Sequence, residues 1–197
     1  MQIILASTSP RRQELLKVAG IDFSVMPVAI DESEQVGENP NDYLYRMVEG
    51  KADHAYQTLL SSTQTAGNIL ILTADTIAVV EQEILQKPND KAHAFAMWDK
   101  LSGKTHTIST AVCASLVADG LLKEQRTIIC HTQVTFVALT DKQKENYWVT
   151  GEPLDKAGAY AIQGGAMAWV EHIDGSYTNV VGLPLSQTLA LIDSFNV

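Results

Sequence analysis

With 197 residues, 46% of them apolar and 19% charged, the chain has the length of one globular domain and enough apolar material to bury a core. Its 14 basic and 23 acidic side chains leave a formal charge of −9, which argues against a surface for nucleic acid polymers or anionic membranes. A local basic pocket for a small anion stays compatible with that balance.

The two cysteines, Cys113 and Cys130, lie in apolar stretches without C-x-x-C spacing and read as free thiols. The opening MQIILAS is too short an apolar run for a signal peptide and has no basic flank. No stretch approaches the roughly 20 apolar residues of a membrane helix. A cytoplasmic location follows as the expectation. No repeat, low-complexity tract or linker divides the sequence, so residues 1–197 are expected to form a single domain.

In chain order, Gln2 to Ala6 reads as a short strand, and Ser9-Pro10 opens a helix that Gly20 stops after Ala19. Asn39-Pro40 opens a longer helix to about Leu60. Ile69 to Val80 is a β-branched apolar run and reads as a central strand. Asp90 to Leu101 is a third helix, closed by Ser102-Gly103. Thr105 to Val117 and Leu122 to Leu139 are long strands joined by the hairpin signal Asp119-Gly120. Thr140 caps a helix to about Val149, which Gly151-Glu152-Pro153 breaks. A strand at Met167 to Ile173, a turn at Asp174-Gly175 and a helix from Pro184 to Phe195 complete the chain. The alternation predicts an α/β fold with an elongated mixed sheet flanked by helices, in two lobes around a central cleft.

Five constellations carry chemistry. At the first strand-to-helix junction, Ser7, Thr8 and Ser9 supply hydroxyls and Arg11 and Arg12 supply forked cations beside unpaired helix amides. That grouping suits phosphate oxygens, although it lacks the glycines and lysine of a Walker loop. Lys51 falls inside the apolar stripe Leu44, Met47, Val48, Ala52, Ala55 and Leu59, so it must either snorkel or meet an anion. Arg46 lies near the same face and is expected to help it. Asp75 interrupts an apolar strand and needs a cation, a metal or donors, as salt-bridge partner, metal ligand or general base. Lys87-Pro88 follows the next short strand and is either a second cation at that sheet edge or a surface turn. Asp31-Glu32 is a carboxylate pair that in most proteins only solvates a loop. Gln163, among the glycines and alanines of residues 155–165, offers the donor and acceptor that a nucleobase edge requires. Together these residues point to a polyphosphate held by cations, with carboxylates that could hold a metal and activate water.

The motifs LASTSPRR (residues 5–12), Lys51-Ala52, TADT around Asp75, Lys87-Pro88, LSG (101–103), LDKAGAYAIQG (154–164) and NVVGLP (179–184) resemble the Maf family of nucleotide pyrophosphatases. The likeness runs in one order over nearly the whole chain. It implies a Maf/ITPase-like fold and metal-dependent hydrolysis of nucleoside triphosphates to monophosphate and pyrophosphate, with Mg²⁺ or Mn²⁺ as the cofactor. It also makes a homodimer plausible.

Arg11, Thr76 and Gln163 look like the subgroup acting on dTTP and UTP, with modified pyrimidine nucleotides as a further substrate class. The sister subgroup acting on 7-methyl-GTP carries Trp, Gln and Glu at the matching positions, and a methylated cationic base favours an aromatic face and a carboxylate. On this resemblance Asp75 matches the proton acceptor. Ser7, Ser9, Arg11, Arg12, Lys51 and Lys87 would neutralise the phosphates, and Glu32 with Asp75 would hold the metal. One departure stands out. Relatives commonly carry Glu before the lysine of the KA motif, whereas this chain has Gly50, with Glu49 about 100° away around the helix. That departure keeps a non-catalytic nucleotide-sensing regulator of cell division as the alternative.

Overall fold

The computed structural model describes residues 1–61 and 67–195. In chain order they form β1 (Gln2–Leu5), α1 (Pro10–Val18), β2 (Ser24–Val25), α2 (Pro40–Leu60), β3 (Asn68–Val80), β4 (Glu83–Leu85) and α3 (Lys91–Leu101). Then follow β5 (Thr105–Ala118), β6 (Leu121–Phe136), α4 (Asp141–Trp148), β7 (Val170–Asp174), α5 (Tyr177–Val181) and α6 (Leu185–Asp193). The strands make one mixed seven-stranded sheet in the order β2-β1-β3-β5-β6-β7, with β4 attached to β3. β1 runs parallel to both β2 and β3, while β3–β4 and β6–β7 are antiparallel. The β5–β6 turn has φ 52° at Asp119 and 76° at Gly120, the doubly positive pair of a tight hairpin turn.

Three helix starts carry side-chain caps. Asn39 accepts from the amides of Asn41 and Asp42, Asp90 from His93, and Thr140 with Gln143 forms a reciprocal capping box. No helix among the described residues is long and apolar enough to cross a membrane.

The chain divides into two compact units. The first comprises Met1–Asp75, Thr110–Cys130 and Gly182–Val197. Its parallel strands are buried on both faces, so alternate residues enter different cores. Ile3, Leu5, Leu70 and Leu72 pack with Leu16 of α1 and with Leu191, Ile192 and Phe195 at the C-terminal end. Ile4, Ala6, Ile69 and Ile71 face Ala55 and Leu59 of α2. The second unit comprises Thr76–Ser109 and His131–Val181. Its interior is aromatic: Trp98 lies 5.6 Å from Tyr147 and 5.4 Å from Trp169, ring centre to ring centre, and Phe136 meets Tyr160 at 4.9 Å.

Three expectations need correction. Met167–Trp169 belong to a 3₁₀ turn, Gly165–Trp169, and the strand begins only at Val170, because the turn delivers Trp169 into the aromatic core. β6 stops at Phe136 instead of Leu139, since Leu139 turns its amide to Ser102 Oγ at 2.7 Å. The C-terminal helix spans Leu185–Asp193, shorter than expected, and the five-residue α5 ahead of it has too few residues to show a period. Cys113 and Cys130 are both free thiols, and burial raises the pKa of each above the ordinary range.

Candidate active site

The first unit assembles most of the anticipated residues, and the way it does so follows from strand and helix periods. Thr73 Oγ1 donates to the Val48 carbonyl of α2 at 2.7 Å, docking the helix on β3. Asp75 is two residues beyond Thr73 and shares its strand face, while Lys51 is three beyond Val48 and shares its helix face. The docking contact therefore brings Lys51 opposite Asp75. Lys51, only 8% exposed, does not snorkel: its Nζ meets Asp75 Oδ1 at 2.6 Å and Glu32 Oε1 at 2.8 Å. The Asp31-Glu32 segment thus does more than solvate a loop.

Glu32 is delivered by the first half of α2. Tyr43 Oη donates to the Glu32 carbonyl at 2.9 Å, and Arg46 Nη2 donates to the Ser33 carbonyl at 2.9 Å. Arg46 is itself gripped by both oxygens of Glu38 at 2.6 Å and lies over the Tyr43 ring. Its role is to brace the Glu32 segment, and it does not join Lys51 as expected. Burial raises the Tyr43 phenol far above its ordinary pKa, and the nearby negative charges of Asp75 and Glu32 push the same way. Its hydroxyl therefore stays a proton donor.

At the end of β1 the Ala6 amide still donates to the Leu72 carbonyl, and the chain then leaves the sheet at Ser7. Ser9 occupies the N-cap of α1 without a side-chain capping bond. Ser7 Oγ accepts from the Ser9 amide and from Arg12 Nη1, both at 3.2 Å. Arg12 Nε donates to the Gly182 carbonyl at 2.9 Å, which helps to aim it. Burial lowers the Arg12 pKa, while the negative charges of Asp75 and Glu32 act in the opposite direction. Arg11 repels it from the neighbouring position.

In the second unit, Thr76 directly follows Asp75 on β3. Lys87 is exposed just after β4, whose Leu85 pairs with Ala78 of β3. The Gly158 amide donates to the Gln86 carbonyl at 3.2 Å, joining the Lys87 segment to the one that carries Gln163. Gly158 has φ +68°, and a Cβ there would come within 3.0 Å of Ala78, so glycine is required at this crossing. Gln163 is exposed on the following turn.

Two carboxylates meeting at one point suit a hard divalent cation, which takes one or two carboxylates and completes its shell with phosphate oxygens and water. Among the described residues no group of three or more His, Cys, Asp or Glu could hold a metal unaided. Glu49, one residue before Gly50, is exposed on α2 and adds no third carboxylate. Sequence reasoning passed over Tyr43, although Tyr43, Met47 and Lys51 stand at i, i+4 and i+8 on one helix face.

The family model for Maf-like proteins matches residues 2–195. The chain is 46% identical to the dTTP/UTP pyrophosphatase of Psychrobacter cryohalolentis, covering 100% of this chain and 98% of that one. It is 44% identical to the enzyme of the same description from Psychrobacter arcticus, covering 98% and 94%, and 43% identical to that from Pseudoalteromonas atlantica, covering 99% and 97%.

Proposed function

Since the chain belongs to the Maf-like protein family, we propose that it hydrolyses dTTP and UTP, and modified pyrimidine relatives of them, to the monophosphate and pyrophosphate. The observation that carries this reading is the contact of one buried ammonium, Lys51, with two carboxylates of different segments, Asp75 and Glu32, within the electrostatic reach of Arg12. A purely structural ion pair needs one carboxylate; the second suits a divalent cation that would accompany an anionic polyphosphate.

In the mechanism, Ser7, Ser9, Arg11, Arg12 and Lys51 hold the triphosphate oxygens. Lys87 offsets the charge that grows on the departing pyrophosphate. Asp75 takes a proton from a water molecule while the oxygen of that water bonds to the α-phosphorus and the bond from that phosphorus to the bridging oxygen of pyrophosphate breaks. Glu32 and Asp75 would hold Mg²⁺ or Mn²⁺, which when bound supplies Lewis-acid polarisation of the phosphate. Arg11, Thr76 and Gln163 are the residues we assign to base selectivity, the neutral amide of Gln163 matching an uncharged pyrimidine edge. We read the chain as one cytoplasmic domain, 1–197, that works on free nucleotides and assembles as a homodimer.

Hydrolysis in oxygen-18 water is expected to label the monophosphate alone. Asp75→Asn should lower kcat by about a hundred- to ten-thousand-fold while leaving nucleotide binding intact. Label in pyrophosphate, or near-parental turnover of the variant, would remove Asp75 from this role. Tight binding of dTTP by the parent without pyrophosphate release, with Mg²⁺ or Mn²⁺ present, would move the reading to a regulator.

A further inference from the structure

Gln163 is mounted on a turn whose two ends are fastened to one pair of side chains. The turn closes on itself, with the Gly164 amide donating to the Ala161 carbonyl at 3.1 Å. At its entry the Ala161 amide donates to Tyr147 Oη at 2.9 Å. At its exit the Gly165 amide donates to Glu152 Oε2 at 3.0 Å. Burial raises the pKa of the Tyr147 phenol above its ordinary value, and the charge of the neighbouring Glu152 pushes the same way. The phenol oxygen accepts from Ala161 and the carboxylate from Gly165, so each holds one main-chain amide of the turn. The turn is thus fastened at Ala161 by Tyr147 and at Gly165 by Glu152, with Gln163 midway between the two fastened amides.

Both members of the pair are themselves fixed. Tyr147 is 4% exposed, and its ring packs at 4.7 Å on Trp169 and 5.6 Å on Trp98. Glu152 lies flush against the turn: a Cβ on Gly164 would stand 2.0 Å from its Oε2, so the position after Gln163 admits only glycine while the carboxylate is there. Upstream, Trp98 Nε1 donates to the carbonyl of Ala159, which holds the left-handed φ of +57° that a non-glycine residue seldom adopts. A surface turn with no task beyond linking two elements does not need this number of fixed points. A neutral amide that must distinguish one base edge from another does, because its donor and acceptor discriminate only when their directions are held.

We propose that Tyr147 and Glu152 are positioning residues for base selectivity, acting through the main chain of the Ala161–Gly165 turn on Gln163. The inference rests on the reading of Gln163 as the residue that meets the base.

The test measures kcat and KM of pyrophosphate release for dTTP, UTP, CTP and GTP. Tyr147→Phe keeps the ring and removes the hydroxyl. It should raise KM for dTTP and UTP by about tenfold and leave kcat, and both constants for GTP, within about twofold. Glu152→Ala should behave the same way, and Glu152→Gln, which keeps an oxygen for the Gly165 amide, should recover most of the loss. On a Gln163→Ala background, Tyr147→Phe should have no further effect. An equal loss for all four nucleotides, a fall confined to kcat, or additive effects in the double variant would overturn the proposal. If the parent prefers a base other than thymine or uracil, the substrate reading fails. The double-variant comparison on the preferred nucleotide then still decides whether Tyr147 and Glu152 act through Gln163.

Discussion

Around Lys51 the first unit concentrates formal charge on side chains: one ammonium, two carboxylates and a neighbouring guanidinium, in a setting where Lys51 is almost wholly buried. Around Gln163 the second unit works mainly through backbone amides, an aromatic scaffold and one carboxylate that accepts from the main chain. On the function proposed above, the difference matches two physical tasks. Charge that develops on phosphoryl oxygens is met by opposite charge fixed in advance, whereas selection among bases depends on direction, which a hydrogen-bonded turn on a rigid core supplies. Variants of the charged cluster should therefore change the rate for every nucleotide alike, and variants of the turn should change the ranking of nucleotides.

The largest effect is expected when the charge balance of the first unit is broken. Lys51→Met retains the stem that fills the apolar stripe and leaves Asp75 and Glu32 facing each other without their cation. Removing one partner of a buried pair is costly, about 3 kcal/mol here, the low end of the usual range because Glu32 reaches solvent. Denaturant unfolding would measure that loss, and turnover should fall equally for dTTP, UTP and GTP. A change in nucleotide ranking would break the division of labour between the Lys51 cluster and the Gln163 turn.

A comparable effect in the second unit is expected from pH. Burial lowers the pKa of His106 from 6.5 to about 4, and its Nδ1 is a buried atom without a hydrogen-bond partner in the described structure, while Nε2 meets Tyr160 Oη at 2.8 Å. Between those two values the unfolded chain binds the proton and the folded chain does not. Unfolding free energy therefore falls as pH drops from 6.5 towards 4 and levels off below it, by on the order of 3 kcal/mol at most. His106→Gln should remove this component of the acid sensitivity, readable as unfolding free energy at pH 7 and pH 4 in the two proteins. Equal acid sensitivity in both would show that the imidazole is not buried neutral.

How much of this was legible in the sequence depended on whether the signal was local. The strand ending at Ala6, the helix starts at Asn39, Asp90 and Thr140 and the Asp119-Gly120 hairpin each rest on a few neighbouring residues and were read within a residue or two. Lys51 and Asp75 stood out because each violates its surroundings, a charge in an apolar stripe and a carboxylate in a β-branched strand. Their pairing is a tertiary fact, set by the contact between Thr73 and Val48, and only the fold supplies it. Arg46 was misassigned because its helix position was visible and its partner Glu38, in the preceding loop, was not. Tyr147 and Glu152 carried no local anomaly at all, since a tyrosine in a helix and a glutamate before proline are ordinary until the turn folds back on them.

The contact between Thr73 and Val48 gives a smaller test of the same comparison. Thr73→Val preserves shape and deletes one buried hydrogen bond. The Val48 carbonyl keeps its helical acceptor role, so the cost should be about 1 kcal/mol. Because the bond sets the register of α2 on β3, kcat should fall more than that stability loss alone would suggest, with nucleotide ranking unchanged. Parental kcat would mean that the stripe of Leu44, Met47 and Ala55 alone holds Lys51 in place.

The smallest expected effect concerns Gly50, immediately before Lys51 in the interior of α2. Glycine there costs the helix up to about 1 kcal/mol relative to alanine, and its backbone is not in the left-handed region that would require it. An added Cβ would meet only Ile30 Cδ1, at 3.4 Å, the edge of an ordinary contact. Gly50→Ala should therefore raise unfolding free energy by about 0.5–1 kcal/mol, measured by denaturant titration. Turnover and nucleotide ranking should stay at the parental level, because Lys51 is held by its two carboxylates and by the docking of Val48 on Thr73, with no part assigned to slack in the helix. If the stabilised variant instead lost kcat on all nucleotides, pliability of α2 beside Lys51 would be part of how the charged cluster works, and the rigid, pre-set character ascribed to the first unit would have to be given up.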